Sequence, residues 1–384
     1  MTTLMTLVAL SSLAAWLWLL LGHDRFWRSG PELGPAAPGE APAIDVPAID
    51  VVVPARNEAE TIGEALASLL AQDYPGRMRI LVVDDGSTDG TAAIAERLGD
   101  GRLGDGRLEV VAGTKTPPGW SGKLWAMAEG VGRADADFLL LTDADIVHAP
   151  GHLSAVAAKA AGEGLDLVSE MVALRCESFS ERALVPAFVY FFQLLFPFAA
   201  VNDPRRAVAA AAGGSMLVRR AALARAGGIA AIKGALIDDV ALAKLIKPGG
   251  KIWLGHTRLA RSRREYPGFA DIWRMIARTA FVQLRYSPWL LAGTVVGLGI
   301  VFVVPPVMAA AGAGTARWAG LAAWALGAVS FVPTLRRFGR SVAWAPLLPL
   351  IAAFYLAATV GSAVDHWRGR GVVWKGRHYR GAHP

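Results

Sequence analysis

Two kinds of hydrophobic pattern are separated by polar segments along this chain. The first is the long apolar run: residues 2–21 are uncharged and about as many as the roughly 20 residues that cross a bilayer core. Similar runs recur towards the end of the chain, at 289–311, 318–333 and 344–364. The pattern predicts one N-terminal and about three C-terminal transmembrane helices.

The second pattern lies between these runs, where short β-branched stretches alternate with amphipathic ones. The stretch 49–54 (IDVVVP) is typical of a strand buried on both faces. A capping-box pattern from Thr61 to Glu64 then predicts the start of a helix with one apolar face. The same alternation predicts strands at 79–83, 108–111 and 138–142, and helices at 91–98 and 123–129. This order favours an α/β fold with a mostly parallel sheet covered by helices.

These patterns divide the chain into segments. A proline- and glycine-rich stretch with no helical or strand period separates the first apolar run from the α/β domain. The apolar run at 184–201, rich in Phe and Tyr, fits an interfacial element better than a span. The predicted segments are an anchor at 1–22, a linker at 23–48, the two halves of the α/β domain at 49–150 and 151–287, membrane segments at 288–365 and a basic tail at 366–384.

The charges that flank the apolar runs predict an orientation. Arg25 and Arg28 follow the first run, which places the next domain on the cytoplasmic side of a cell (inner) membrane. Three full spans after that domain would leave the basic tail outside. A re-entrant hairpin broken at Pro305-Pro306 would return the tail to the cytoplasm. The sequence leaves both topologies open.

Composition narrows the function classes. Hydrophobic residues make up 54% of the chain and charged residues 18%, which suits a multi-pass membrane protein better than a soluble enzyme. The net charge of +7 then favours an anionic membrane surface or a phosphorylated substrate over nucleic acid. The single cysteine, Cys176, cannot form an internal disulfide and is expected to be a small buried hydrophobe.

Polar clusters follow three of the predicted strands, at the edge where parallel sheets gather their ligands. The adjacent carboxylates of Asp84 and Asp85 need a donor opposite them, such as the imide N–H of a uracil-type base. Asp143 and Asp145 alternate along an extended strand end, and carboxylate oxygens suit Mg²⁺ or Mn²⁺. A turn or a helix cap would explain each cluster alone, but three at one edge favour a site. The clusters are 54–58 (PARNE), 84–89 (DDGSTD) and 143–145 (DAD).

Through the segments 53–58, 83–89 and 142–145, the sequence resembles the family 2 glycosyltransferases of the GT-A fold, over about residues 49–287. Within that family it is similar to the hopanoid-associated glycosyltransferases, given 118–123 (PGWSGK), 263–269 (RREYPGF) and the flanking membrane segments. The resemblance implies a doubly wound mixed sheet, a nucleotide-diphosphate sugar donor, a Mg or Mn ion and a lipid acceptor such as a hopanoid.

The resemblance also implies roles on the donor side. The loop 54–58 would line the nucleoside, and Asp84 or Asp85 would hold the base. Lys123 would reach the base or a phosphate, and Asp145, helped by Asp143, would hold the metal. The implied donor-side residues are Pro54, Ala55, Arg56, Glu58, Asp84, Asp85, Lys123, Asp143 and Asp145.

On the acceptor side, the segments 213–219 (GGSMLVR) and 237–242 (IDDVAL) match the glycine loop and the acidic base motif of the family. The motif usually reads Glu-Asp, whereas here it is Asp238-Asp239. By the resemblance, Asp239 would take the proton of the acceptor hydroxyl in a direct displacement with inversion. Gly214 would bind substrate, and so would Arg278, the one residue kept from the Gln-x-x-Arg-Trp motif of processive synthases.

Several alternatives stay open at this stage. The reduced Gln-x-x-Arg-Trp motif puts a processive polysaccharide synthase in doubt, and a membrane scaffold that binds a nucleotide sugar without catalysis also fits the sequence. A phospho-receiver module is disfavoured because its later strand would carry a lone phosphoacceptor rather than Asp143-Ala144-Asp145. A basic cluster could face a departing diphosphate, anionic lipid or solvent: Arg258, Arg261, Arg263 and Arg264.

Overall fold

We describe a computed structural model that covers residues 2–35, 46–101, 105–370, 372–374 and 377–379. The predicted linker (23–48) and basic tail (366–384) therefore lie partly outside the described residues. The chain forms two compact units. The helical unit comprises Met1–Gly30, Cys176–Ala199 and Tyr266–Gly381, and the sheet unit comprises Pro31–Arg175 and Ala200–Glu265.

The helices are α1 Thr2–Leu21, α2 Ile62–Leu70, α3 Thr91–Asp100, α4 Gly122–Arg133, α5 His152–Glu163, α6 Phe179–Leu195, α7 Phe198–Asn202, α8 Arg220–Arg225, α9 Asp238–Ile246, α10 Phe269–Gln283, α11 Pro288–Leu298, α12 Val304–Ala311, α13 Gly314–Arg337 and α14 Leu348–Trp367. The strands are β1 Glu32–Leu33, β2 Ile49–Ala55, β3 Met78–Asp84, β4 Leu108–Ala112, β5 Phe138–Thr142, β6 Ile146–His148, β7 Leu167–Ala173, β8 Ser215–Arg219, β9 Ile252–Ser262, β10 Val372–Trp374 and β11 Arg377–Tyr379.

The sheet unit is built on a nine-stranded mixed sheet in the order β1-β9-β7-β8-β5-β2-β3-β4, with β6 paired to β9. The β2, β3, β4 and β5 strands run parallel, as predicted. Strand β8 runs antiparallel to both β5 and β7. All seven residues of β2 are buried because helices cover both faces of the sheet there, as the continuous apolar run requires.

The predicted elements of the first half are confirmed within two residues at strand ends and within four at helix ends. Phe138–Thr142 is β5 with the predicted bounds. The capping box predicted at Thr61 is wrong: Thr61 is the N-cap of α2, but its side chain makes no capping hydrogen bond. The Thr61 hydroxyl instead donates to the carbonyl oxygen of Glu58 at 3.4 Å, and Glu64 pairs with Arg263 at 2.8 Å. Glu64 is therefore drawn away from the helix N-terminus.

Two elements differ from the prediction: a strand forms within the predicted linker, and a helix starts before the predicted interfacial run. Within the predicted linker, β1 adds a parallel edge strand beside β9, with Glu32 opposite His256. The predicted interfacial run begins five residues earlier than expected, because Ser178 and Glu181 form a complete capping box that starts α6 at Phe179. Hydrophobic periodicity alone predicts neither β1 nor the start of α6, since β1 is only two residues long and Ser178 precedes the apolar run.

In the helical unit, four helices among the described residues are long and apolar enough to cross a membrane: Thr2–Leu21, Pro288–Ala311, Gly314–Arg337 and Val342–Trp367. This confirms one N-terminal and three C-terminal candidate spans. The stretch containing Pro305 and Pro306 is one continuous helical segment of 24 residues, not a broken hairpin. It passes through a π-helical turn at Gly299–Val303, where the Val301 carbonyl oxygen accepts a hydrogen bond from the Trp16 indole at 2.7 Å.

Helix α4 packs on the sheet through a glycine. A Cβ at Gly130 would lie 2.5 Å from Cγ1 of Val52, whereas a Cβ at Gly132, exposed on the same helix, would meet nothing within 4 Å. We therefore expect Gly130→Ala to lower the free energy of unfolding by about 1–3 kcal/mol through overpacking. Gly132→Ala should leave it unchanged or raise it by up to about 1 kcal/mol. Thermal unfolding of detergent-solubilised protein measures both, and equal effects would refute the packing argument.

Candidate active site

The polar clusters predicted at the ends of the strands do lie together on the sheet. Strands β2 and β3 are parallel and in register to their last residues, where Ala55 pairs with Asp84. Strand β5 runs parallel to β2 on its other side and ends at Thr142, one residue before Asp143. The three clusters therefore leave the same edge of the sheet, as expected for carboxyl ends of parallel strands.

The first two loops are tied to each other by four hydrogen bonds from backbone N–H groups. Asn57, in the left-handed region at φ 50°, donates its backbone N–H to the Ser87 hydroxyl at 2.9 Å and accepts from the Thr88 N–H at 2.8 Å. Glu58 N–H donates to the Thr91 hydroxyl at 2.8 Å, and Ala59 N–H donates to a carboxylate oxygen of Asp89 at 3.0 Å. The loops thus form one rigid wall.

Asp84 presents an unsatisfied oxygen at this wall. Its Oδ2 accepts from the backbone N–H of Ser87 at 3.1 Å. Its Oδ1 is buried and has no hydrogen-bond partner within the described part of the chain. A buried carboxylate oxygen without a donor is costly, so this atom is suited to accept from a bound ligand.

Asp85 is turned inward instead. Only 4% of its surface is exposed, and its Oδ2 lies 3.9 Å from the Arg56 guanidinium. Arg56 also donates to the carbonyl oxygens of Asp85 and Gly86. Of the two residues proposed to hold the base, Asp84 therefore has the available oxygen, and Arg56 braces the loop.

Pro54 and Ala55, predicted to bind substrate, are the last two residues of β2, and both are buried. The carbonyl oxygen of Ala55 accepts from the backbone N–H of Asp85 at 2.9 Å. Pro54 and Ala55 therefore support the two loops from within the sheet, where their side chains are buried.

Lys123 lies between two carboxylates. Its Nζ is 2.9 Å from Oδ1 of Asp143 and 2.9 Å from Oδ2 of Asp238. Ser121 caps α4 by accepting from the Leu124 N–H, which places Lys123 in the first turn of the helix. Burial lowers the pKa of Lys123, but the two carboxylates outweigh it and raise that pKa above its ordinary value. Lys123, which is predicted to reach a ligand, is therefore charged, and it joins the loop of Asp143 to the acidic motif at Asp238.

Asp239 lies beside Asp238 at the start of α9 and contacts the acceptor-side loop at Gly213. Its Oδ2 accepts from the Gly213 N–H at 2.9 Å, and its Oδ1 accepts from its neighbour's N–H, that of Val240, at 2.7 Å. Burial, followed by the charge of Asp238, raises the pKa of Asp239 to about 7, against the opposing effects of Lys123 and these two N–H groups. A carboxylate with that pKa exchanges a proton readily near neutral pH.

Asp145 is 6% exposed and pairs with a residue whose role the sequence left undecided. Arg264 donates from Nε to Oδ2 of Asp145 at 2.8 Å and reaches Glu58 Oε1 at 3.4 Å. Of the remaining basic cluster, Arg263 and Arg261 pair with Glu64, and Arg258 pairs with Glu32. Only the register of β9, which brings its end beside β6, distinguishes Arg264 from these arginines, and sequence spacing does not reveal it.

The carboxylates at this edge fit a Mg or Mn ion that takes few protein ligands. The pKa of Asp143 is raised by burial and, after the opposing effect of Lys123, by the charges of Asp145 and Asp238, so these carboxylates are close enough to repel. Among the described residues no group of three or more His, Cys, Asp or Glu is arranged to hold a metal. Asp143 and Asp145 are the pair that would hold it, with phosphate and water completing the shell.

The other predicted residues divide between the two units. Gly214 lies in the acceptor-side loop, beside Gly213. Arg278 is on α10 in the helical unit, and the site described above belongs to the sheet unit. Cys176 is partly buried, and burial raises the pKa of its thiol to about 11, in line with the expected unreactive hydrophobe.

The raised pKa of Asp239 predicts a pH-dependent stability. Because the folded-state pKa is about 7 and the ordinary value is 3.8, the native state holds an extra proton between these values, and stability falls as pH rises through that window. We expect Asp239→Asn to gain roughly 1–3 kcal/mol relative to wild type between pH 4 and pH 8. Melting temperatures across this range measure it. Asp100→Asn, which removes an exposed carboxylate, should show no such gain. If the melting temperatures of wild type and Asp239→Asn change with pH in parallel, the prediction is contradicted.

Comparison with known proteins adds to this geometry. Residues 50–227 match the family model described as Glycosyl transferase family 2. An N-acetylglucosaminyltransferase of Mesorhizobium japonicum is 34% identical over 127 residues, which are 33% of this chain and 28% of the relative. A beta-monoglucosyldiacylglycerol synthase of Synechocystis sp. is 34% identical over 123 residues, 32% of this chain and 25% of the relative. The match thus spans about a quarter of these relatives' length.

Among solved structures, a mannosyltransferase from Pyrobaculum calidifontis in complex with GDP-Man and Mn²⁺ superposes with a TM-score of 0.58 at 20% identity. The superposition covers 94% of this chain and 99% of the mannosyltransferase, which confirms the predicted GT-A type of mixed sheet. The three strand-end clusters all lie within residues 50–227, the part of the chain that matches the Glycosyl transferase family 2 model.

Proposed function

We propose that the protein is a membrane-bound inverting glycosyltransferase that moves a sugar from a nucleotide-diphosphate sugar to the hydroxyl of a lipid. The observation that carries the proposal is Asp239, a carboxylate held by two N–H groups with its pKa raised to about 7. The ammonium of Lys123 joins its neighbour Asp238 to Asp143, on the loop proposed to hold the diphosphate. A base poised near neutral pH beside a donor site is what direct displacement requires.

On the donor side, Oδ1 of Asp84, which is buried and has no hydrogen-bond partner among the described residues, would accept a hydrogen bond from an N–H of the nucleobase. Lys123 and Arg264 are the cations nearest to the carboxylates of the diphosphate site. The similarity in fold to a mannosyltransferase in complex with GDP-Man and Mn²⁺ supports a nucleotide-sugar donor of this class. When bound, a Mg or Mn ion at Asp143 and Asp145 would offset charge on the leaving diphosphate.

In the transfer, the acceptor oxygen forms a bond to the anomeric carbon while the bond from that carbon to the diphosphate oxygen breaks. Asp239 takes the proton that the acceptor hydroxyl loses. Burial and then the charge of Asp238, which pairs with Lys123, raise the pKa of Asp239 to about 7, so that it can accept that proton. One displacement inverts the anomeric centre and needs no covalent intermediate on the protein.

A lipid acceptor is favoured by the helical unit, which has four candidate membrane spans within the described residues. The similarity to a beta-monoglucosyldiacylglycerol synthase supports the same class of acceptor. The narrower proposal, a hopanoid hydroxyl, rests on the sequence resemblance. A catalytic domain on the cytoplasmic face of the inner membrane is proposed from the basic residues that follow the first apolar run.

The assigned roles separate binding from turnover. With Mn²⁺, a radiolabelled panel of UDP- and GDP-sugars and a lipid extract containing hopanoids and diacylglycerol, wild type should transfer one sugar. Asp239→Asn should lower turnover at least a hundredfold, because the base is lost, and should change donor affinity less than about threefold. Asp145→Asn should weaken donor binding at least tenfold. Equal losses of affinity in both variants, or no transfer by wild type, would count against the proposal.

The open oxygen of Asp84 predicts base discrimination. Asp84→Asn should weaken binding of the preferred nucleoside diphosphate by about 10- to 100-fold, since a charged hydrogen bond is lost. It should also flatten the preference among uridine, guanosine and adenosine diphosphates, measured by calorimetry. Asp145→Asn should instead weaken all three about equally, and the exposed Asp100→Asn should weaken none. A base preference that survives in Asp84→Asn would remove Asp84 from the base site.

A further inference from the structure

Three successive residues of the acceptor-side loop, Ala212, Gly213 and Gly214, are each hydrogen-bonded to a side chain of another element. The Ser169 hydroxyl accepts from the Ala212 N–H at 2.7 Å and donates to the Ala212 carbonyl oxygen at 3.2 Å. Gly213 N–H donates to Asp239 at 2.9 Å. The Thr142 hydroxyl donates to the carbonyl oxygen of Gly214 at 2.8 Å. The loop has little freedom to move relative to β5 and β7, which carry the threonine and the serine.

The fit of this loop is close on both sides. A Cβ at Gly213 would lie 3.3 Å from Oδ2 of Asp239, and a Cβ at Gly214 would lie 3.1 Å from a methyl group of Val172. Glycine allows the backbone N–H to approach the carboxylate with no side chain between them. A small displacement of the loop would therefore change the Gly213–Asp239 hydrogen bond directly.

The direction of the Thr142 hydroxyl is set by a buried chain of polar side chains. Since this hydroxyl donates to a carbonyl oxygen, it must accept from Nε2 of His148, 3.1 Å away. Nδ1 of His148 then lacks a proton and accepts from Nδ1 of His152 at 3.1 Å. Burial, and then the charge of His152, lowers the pKa of His148, which agrees with a neutral ring. Every proton in this part of the chain has one allowed position.

This hydrogen-bonded series of side chains ends on the carboxylate of Glu170. Nε2 of His152 is 2.6 Å from Oε2 of Glu170, so the pair shares one proton, and the Ser215 hydroxyl donates to the same oxygen at 2.7 Å. Thr142, His148, His152, Glu170 and Ser215 are each at most 3% exposed. Both contacts are made by Oε2 of Glu170, and its buried Oε1 has no hydrogen-bond partner among the described residues. Buried side chains that are hydrogen-bonded to one another restrict the arrangement of the groups at the end of the series.

We propose that Thr142 and Ser169 are positioning residues for the transfer, holding the loop Ala212–Gly214 so that the Gly213 N–H stays on Asp239. The chain of His148, His152 and Glu170 serves this by keeping the Thr142 hydroxyl directed at Gly214. The inference rests on the proposed function, because it assigns these residues to the alignment of its base. Neither residue touches substrate, and both act through the loop.

The test compares Thr142→Val, which keeps the shape and removes the hydroxyl, with Thr142→Ser, which keeps the hydroxyl. Thr142→Val should lower kcat about tenfold, with donor affinity unchanged. The acid limb of the kcat profile should move to higher pH by about half a unit or more, because the Gly213 N–H lowers the pKa of Asp239 and its loosening raises it. The charged neighbours of Asp239, Asp238 and Lys123, are unchanged.

Two further variants complete the design. Ser169→Ala, which loosens the loop at Ala212, should move the acid limb in the same direction, and it serves if Thr142→Val does not fold. Ser154→Ala removes a hydroxyl that bonds to Asp73 on the surface of α5, and it should behave as wild type. Thr142→Ser should return both kcat and the acid limb most of the way to wild-type values.

The outcomes are distinguishable. A fall in kcat or melting temperature with the acid limb unmoved would mean that the hydroxyls are merely structural and would overturn the inference. If wild type transfers no sugar, the proposed function fails by itself. In that case, melting temperatures measured across pH and compared with those of the Asp239→Asn variant still report the pH at which Asp239 destabilises the fold. That pH shows whether Thr142→Val shifts the pKa of Asp239.

Discussion

The ammonium of Lys123 is the contact on which the site depends, because it pairs with two carboxylates of the sheet unit. Its Nζ is 2.9 Å from both Asp143 and Asp238, which leave different elements of the sheet unit. Without the ammonium between them, the two carboxylates would repel each other and would be costly to bury. Since the attraction of the two carboxylates exceeds the cost of burying the ammonium, the pKa of Lys123 is raised and Lys123 stays charged. The donor loop and the acidic motif are thereby held together.

A reversal in the sheet explains why donor and acceptor residues can meet at all. Strand β8 runs antiparallel to β5, so the end of β5 at Thr142 lies opposite the start of β8 at Ser215. The carboxylates that follow β5 and the glycine loop that precedes β8 are therefore on the same edge. In an all-parallel sheet the loop before β8 would lie at the opposite edge. One antiparallel strand makes the two halves of the site adjacent.

The sequence predicted the parts of this site that depend on local pattern, and missed those that depend on register. The strand-end clusters and the βα units follow from hydrophobic period and turn residues, so Asp84 and Asp143 were placed correctly at the edge. The partner of Lys123 was not predictable, because Asp238 approaches it only through the tertiary packing of α9. Arg264 is one of four nearby arginines in the sequence, and only the pairing of β6 with β9 selects it. Likewise, His148 and His152 are ordinary core residues until β7 brings Glu170 beside them.

The two adjacent aspartates at the start of α9 show how environment assigns chemistry to neighbours of the same type. Asp238 pairs with the ammonium of Lys123, whereas Asp239 accepts hydrogen bonds from the N–H groups of Gly213 and Val240. Burial, followed by the charge of Asp238, raises the pKa of Asp239 to about 7, and Lys123 opposes that rise. When the environments of paired carboxylates differ in this way, the one with the raised pKa can exchange protons near neutral pH. The proton affinity of Asp239, the proposed base, therefore depends on its burial and on the charge of the neighbouring Asp238.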